Sequence, residues 1–113
     1  MSQSFVWFHN SSDNPSDSSR FYQKLLGWTA SEGPGGLTML AGQTGPFAGL
    51  AKKDGGVTAG WIPYVQVDDV DGATNAALKL GATVVSAKTR GPAGEYSVVR
   101  DPGGAAIALW QKA

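Results

Sequence analysis

The stretch Gly60–Val85, GWIPYVQVDDVDGATNAALKLGATVV, reads as a strand, a capped helix and the start of a second strand. Trp61–Val67 carries Ile62, Tyr64, Val65 and Val67, a β-branched and aromatic run. Asp68, Asp69 and Asp71 then crowd a helix start, where carboxylates accept unpaired backbone N–H groups and favour the positive end of the dipole. Ala73, Ala76, Ala77 and Leu80 recur at spacings of three and four and predict the buried stripe of that helix. Gly81 is the expected left-handed stop, and Ala82–Val85 (ATVV) opens the next strand.

The same order of signals occurs upstream. Phe5–His9 predicts a strand, Asn14 a helix cap with Pro15 in the first position, and Phe21, Tyr22, Leu25 and Leu26 the buried face of the helix that Gly27 closes. Trp28 and Thr29 begin another strand, and glycine-rich turns separate it from Leu37–Leu40 and from Phe47–Lys52. Leu26-Gly27 and Leu80-Gly81 stand 54 residues apart, while Gly45, Phe47, Gly49 and Leu50 precede Gly104, Ala106, Ala108 and Leu109 by 59. The second unit therefore carries a few extra residues, expected as a loop around Thr89–Gly94. The prediction is an α+β fold in one domain, 1–113: a βαβββ unit over 1–53, a polar connector at 54–59 and a second βαβββ unit over 60–113. The mostly antiparallel sheets are expected to curl into a cup with the helices outside.

Composition narrows the function. The 113 residues contain no cysteine, which excludes disulfides, thiolate metal sites and thiol nucleophiles. Nine Lys/Arg balance nine Asp/Glu without a long run of either sign, so neither nucleic acid nor a membrane surface is expected as a partner. The N-terminal apolar run is only Phe5–Phe8 and lacks a basic flank, so no signal peptide is expected and a cytoplasmic location is.

Four pieces, FYQKLLGW (Phe21–Trp28), WIPYVQVDDVD (Trp61–Asp71), LKLGATVV (Leu78–Val85) and RDPGGAAIALWQ (Arg100–Gln111), resemble in wording and order the vicinal oxygen chelate superfamily, which holds glyoxalase I, bleomycin resistance proteins and extradiol dioxygenases. The resemblance covers essentially the whole chain and implies the fold just described. In metal-dependent members, four His or Glu ligands on the first and last strands of each unit hold a divalent ion that polarises two neighbouring substrate oxygens. On this sequence the resemblance places those positions at Trp7, Gly49, Ile62 and Ala108. None of these residues ligates a metal, so no metal and no other cofactor is expected.

Strand alternation puts Phe5, Trp7 and His9 on one inner face, Ile62, Tyr64 and Gln66 on a second, and Ala106, Ala108 and Trp110 on a third. The predicted ligand-binding residues are Trp7, His9, Ile62, Tyr64, Gln66, Ala108 and Trp110, an aromatic lining with a few polar tips suited to a flat, partly apolar small molecule. Taken singly, each of these aromatics reads better as part of an ordinary hydrophobic core, and it is the constellation that points to a ligand. Glu95 and Tyr96 precede the strand SVVR with their parity open. The leading expectation is a metal-independent small-molecule binding protein acting as a homodimer. The alternatives are a glyoxalase-like lyase, isomerase or dioxygenase, with an atypical metal site recruiting His9 or with His9 and Tyr64 as acid–base catalytic residues, and an interaction module whose cup is filled. The remaining polar features read as structural: Asp101-Pro102-Gly103-Gly104 as a hairpin turn, Asp68, Asp69 and Asp71 as capping rather than calcium ligands, and Lys52 and Lys53 as a solvated strand end.

Overall fold

A computed structural model describes residues 3–54 and 58–113; the expected connector at 54–59 falls partly outside them, at positions 55–57. The chain forms two compact units, one of Trp7–Trp61 and one of Ile62–Ala113 with the described residues up to Val6. The elements run β1 (Phe5–Ser12), α1 (Pro15–Leu26), β2 (Thr29–Glu32), β3 (Thr38–Gly42), β4 (Gly45–Lys52), then β5 (Gly60–Gln66), α2 (Val70–Lys79), β6 (Thr83–Gly91), β7 (Gly94–Arg100) and β8 (Ala106–Lys112). A short 3₁₀ turn, Pro34–Gly36, links β2 to β3.

Each half is βαβββ with the same wiring. In the first, β2 pairs antiparallel with β3, β3 antiparallel with β4, and β4 parallel with β1. In the second, β6 pairs antiparallel with β7, β7 antiparallel with β8, and β8 parallel with β5. The parallel pair in each half is made by the strand that precedes the helix and the last strand of the unit. The α+β class and the repeat are as the sequence predicts.

The helix ends follow the capping chemistry. Asn14 Oδ1 accepts from Asp17 N at 3.2 Å, Pro15 opens α1, and Gly27 closes it at φ +71° with its N–H on Gln23 O. Asp69 Oδ1 accepts from Asp71 N at 3.2 Å at the start of α2, while the Asp71 carboxylate takes Lys88 Nζ at 2.9 Å. Asp69 thus caps α2, as expected, while Asp71 pairs with Lys88 instead. Asp101 Oδ1 accepts from Gly103 N and Ala105 N, which fixes the turn into β8.

Four expectations are corrected. The first strand does not stop at His9 but continues to Ser12, because Asn10, Ser11 and Ser12 pair with Leu50, Ala51 and Lys52 and are buried. The apolar stripe of α1 is not buried: Phe21, Leu25 and Leu26 are all more than half exposed, and the helix turns Ser18, Ser19 and Tyr22 inward instead. What holds α1 is aromatic and hydroxyl contact. Tyr22 stacks on Trp28 at 5.3 Å, Trp28 meets Phe47 edge-on at 4.7 Å, and Ser18 Oγ lies 2.6 Å from Ser12 Oγ. In α2 the inward stripe is Val70, Ala73, Thr74 and Ala77, leaving Leu80 79% exposed. Finally, the extra residues of the second unit do not make a loop at Thr89–Gly94. Thr89–Gly91 belong to β6, and Gly91 pairs with Gly94 across a tight turn. The surplus lengthens the strand, nine residues in β6 against four in β2, with two register shifts, at Val84/Ser86 and Ser86/Thr89, each adding one residue on the β6 side. Lys52 and Lys53 are exposed as expected but also engage Asp13, through its carbonyl at 2.6 Å and its carboxylate at 3.3 Å.

One buried polar contact gives a directional prediction. Thr74 Oγ1 donates to Val70 O at 2.6 Å, so in the 2.7 Å contact with the fully buried Ser97 hydroxyl it is Ser97 that donates. Removing the acceptor strands a buried donor, whereas removing the donor strands nothing. Thr74→Val is therefore expected to cost about 1–3 kcal/mol and Ser97→Ala clearly less, read from urea midpoints.

Candidate functional site

The Ile62–Ala113 unit gathers five of the predicted residues on one sheet face. Tyr64 pairs with Ala108 and Gln66 with Trp110 between β5 and β8, and Ala108 and Trp110 pair in turn with Val98 and Tyr96 of β7. Partners in register share a face, so Tyr64, Gln66, Tyr96, Val98, Ala108 and Trp110 lie together, with Ile62 two residues before Tyr64 on the same side. The helix covers the other side: Val70 N donates to Gln111 Oε1 and Thr74 meets Ser97, both on the opposite parity. The Tyr64 and Tyr96 rings are 5.9 Å apart at 46°, while Ala108 and Ile62 are buried. The arrangement is a small residue flanked by two tyrosines and an indole, with one carboxamide at its edge.

Tyr96 is the member that sequence reasoning left unplaced. Its parity becomes definite only through Tyr96↔Trp110, a pairing fixed by the β7–β8 hairpin and not by the SVVR run itself. The same register sends Glu95 to the helix side, opposite Gln111.

Trp7 and His9 lie in the other unit, where His9 pairs with Gly49, and Gly49 with Met39, on the side of the sheet away from the Leu40, Ala48 and Leu50 core. A Cβ placed on Gly49 would lie 2.9 Å from Leu37 Cδ1, so the Leu37 side chain already fills the space over that position. Burial lowers the pKa of His9 below the ordinary 6.5, so at neutral pH the imidazole is uncharged. Burial first, and the neighbouring Tyr96 second, push the Tyr64 phenol well above its ordinary value of 10, so it stays a proton donor.

The His9 shift predicts a pH effect. Between the lowered folded value and the unfolded value of 6.5 the unfolded chain binds the proton and the folded chain does not. The stabilisation is complete above 6.5 and is lost as pH falls through that window. Unfolding midpoints between about pH 7.5 and pH 5 are expected to fall in the parent and to fall less steeply in His9→Gln.

These positions do not fit the divalent metal of metal-dependent relatives. Indole, sec-butyl and methyl side chains at Trp7, Ile62 and Ala108 offer no lone pair suited to a metal, and Gly49 has no side-chain donor. Among the described residues no three His, Cys, Asp or Glu side chains converge as a metal site would require.

The model for the glyoxalase-like domain matches residues 7–110. The chain belongs to this family, within the vicinal oxygen chelate superfamily. CFP32 of Mycobacterium tuberculosis, provisionally named a glyoxylase, is 33% identical over 93% of this chain and 44% of its own length. The anthracycline biosynthesis protein DnrV of Streptomyces peucetius is 29% identical over 95% of this chain and 46% of its own length. This glyoxalase-like domain thus spans less than half the length of the curated relatives it matches. Its fold matches that of a glyoxalase/bleomycin resistance protein/dioxygenase superfamily member from Vibrio splendidus, at 16% identity and a TM-score of 0.64 over 99% of this chain and 100% of the other. Among its described residues no helix is long and apolar enough to cross a membrane.

Proposed function

We propose that this glyoxalase-like domain is a metal-independent small-molecule binding protein of the cytoplasm that stacks a flat, partly apolar ligand on the Tyr64, Tyr96 and Trp110 face. The observation that supports it is the register bringing these three rings together beside the small Ala108. An aromatic ligand gains about 0.5–1.5 kcal/mol per ring contact beyond the area it buries. Gln66, paired with Trp110, and the phenol of Tyr64, which keeps its proton, supply orienting hydrogen bonds. The anthracycline association of DnrV makes an anthracycline the first probe.

The test pairs elemental analysis of protein prepared without chelator with fluorescence titration of the anthracycline in the presence of EDTA. Saturable binding without a stoichiometric divalent ion is expected, weakened about five- to tenfold by Tyr96→Leu. A stoichiometric ion whose removal abolishes binding, or an affinity unaffected by Tyr96→Leu, refutes the reading.

The uncharged imidazole of His9 supports one second reading, a lyase or isomerase with that imidazole as base. Full turnover of a discovered substrate by His9→Gln removes it. Homodimerisation is proposed with either reading, on the support of the outward Phe21, Leu25 and Leu26 strip of α1. Sedimentation is expected to show a dimer that Leu25→Lys dissociates; a parent that stays monomeric at all concentrations rules this out.

A further inference from the structure

A cleft of about 430 Å³ opens in the Trp7–Trp61 unit, where the end of β1 meets the first turns of α1 and the residues leading into β5. Its size falls within the range of small-molecule sites, yet none of the residues predicted from sequence lines it. Its lining includes the hydroxyl, amide and aromatic groups of Asn10, Ser12, Ser18, Tyr22 and Trp61 together with the carboxylates of Asp13 and Asp17.

Several groups along the cleft keep hydrogen-bonding capacity to spare. Asn10 is only 6% exposed and sits in register with the core residue Leu50, on the side of the sheet that faces α1. Among the described residues its carboxamide has no protein partner, and no side-chain polar atom is both fully enclosed and unpaired, so the amide gives onto the cleft. Ser12 Oγ accepts from Asn14 N at 3.0 Å and shares one proton with Ser18 Oγ; whichever serine donates, the hydroxyl proton of the other remains available. The Tyr22 hydroxyl accepts from Trp61 Nε1 at 3.0 Å and keeps its own proton to give. Two hydroxyl donors and a carboxamide, able both to donate and to accept, therefore line one wall beside the partly exposed Trp61 ring.

Charge discriminates among ligands. Among the described residues the charged ones lining the cleft, Asp13 and Asp17, are both paired, with Lys53 and Arg20, so no lining side chain carries an unpaired charge to hold an ion. We propose that this cleft binds a neutral polyhydroxylated molecule, a saccharide or a comparable polyol. Such a ligand offers each hydroxyl as donor and acceptor and lays its C–H face on an aromatic ring. The cleft shares no residue with the Tyr64, Tyr96 and Trp110 face, and the proposal does not rest on how that face is used.

The test is a titration of the isotopically labelled 113-residue chain, followed by amide and indole NMR shifts, with methyl glycosides of glucose, galactose and mannose and with myo-inositol. Protonated glucosamine and glucose 6-phosphate serve as charged comparators. At least one neutral polyol is expected to shift the amides of residues 10–18 and the Trp61 indole N–H saturably, and Tyr22→Phe to weaken that binding about three- to tenfold. Asn10→Ala is expected to weaken it further; should that buried change prevent folding, Tyr22→Phe, which keeps the ring, decides alone. Shifts from the charged comparators only, no shift from any neutral polyol, or an unchanged affinity in Tyr22→Phe overturns the proposal.

Discussion

Gly94→Ala is expected to destabilise the domain by about 4 kcal/mol, while the same change at Gly45 costs about 1 kcal/mol. Both glycines close hairpins, Gly94 opposite Gly91 and Gly45 opposite Gly42, and both hold a positive φ, +144° and +108°. They differ in their surroundings. A Cβ on Gly94 would stand 2.1 Å from Gln111 O and 2.8 Å from Ala113 N, backbone atoms held by the Gly94↔Lys112 pairing and by Ala113 N donating to Ala93 O. A Cβ on Gly45 meets nothing within 4 Å. Gly45→Ala thus carries only the conformational cost of an L residue at positive φ, whereas Gly94→Ala must also push the end of β8 out of register. Urea denaturation of the pair measures the difference. Equal costs would mean that the β7–β8 ends are not packed as described.

Local chemistry made most of the fold legible. Asn14 and Pro15, Asp69, Gly27, Gly81 and the Asp101 turn announce themselves because a cap or turn is decided by a few adjacent residues. What escaped was decided by partners far along the chain. The periodicity of Phe21, Leu25 and Leu26 states that α1 has an apolar face, but which face turns inward depends on Tyr22 meeting Trp28 and on Ser18 meeting Ser12. The bulges in β6 follow the same logic: the surplus residues are visible as a change of spacing, while their place is set by pairing with β7. On the candidate face, alternation alone was enough to group Ile62, Tyr64 and Gln66. Tyr96 needed the hairpin register. The Asn10, Ser12 and Ser18 cleft carried no signal at all, because serines before a helix read as loop and cap until β1 is seen to run through them.

Leu40→Ala is expected to cost about 4 kcal/mol, near the upper part of the range for emptying a buried leucine site. Leu40 is fully buried in β3 and packs with Ala48 and Leu50, bordered by Trp28, Ala30 and Phe47. Whether the vacancy costs little or much depends on which neighbours are able to move into it. Its two partners in register, Ala30 and Ala48, are too short to reach. Trp28 is held by three rings at once, stacked on Tyr22 and edge-on to Phe47 and Trp61, so filling the gap would require breaking those contacts. The cavity therefore persists, and its cost adds to the lost transfer energy. Against a total stability of about 5–15 kcal/mol for a domain of this kind, the variant should sit near its unfolding limit. Leu80→Ala is the control, since Leu80 is 79% exposed and lies outside the α1 strip, so the same chemical change there should stay within about 0.5 kcal/mol. Parallel urea titrations with unchanged slope are the measurement. A Leu40→Ala midpoint no lower than that of Leu80→Ala would show that the centre of this unit lies elsewhere than among Leu40, Ala48 and Leu50.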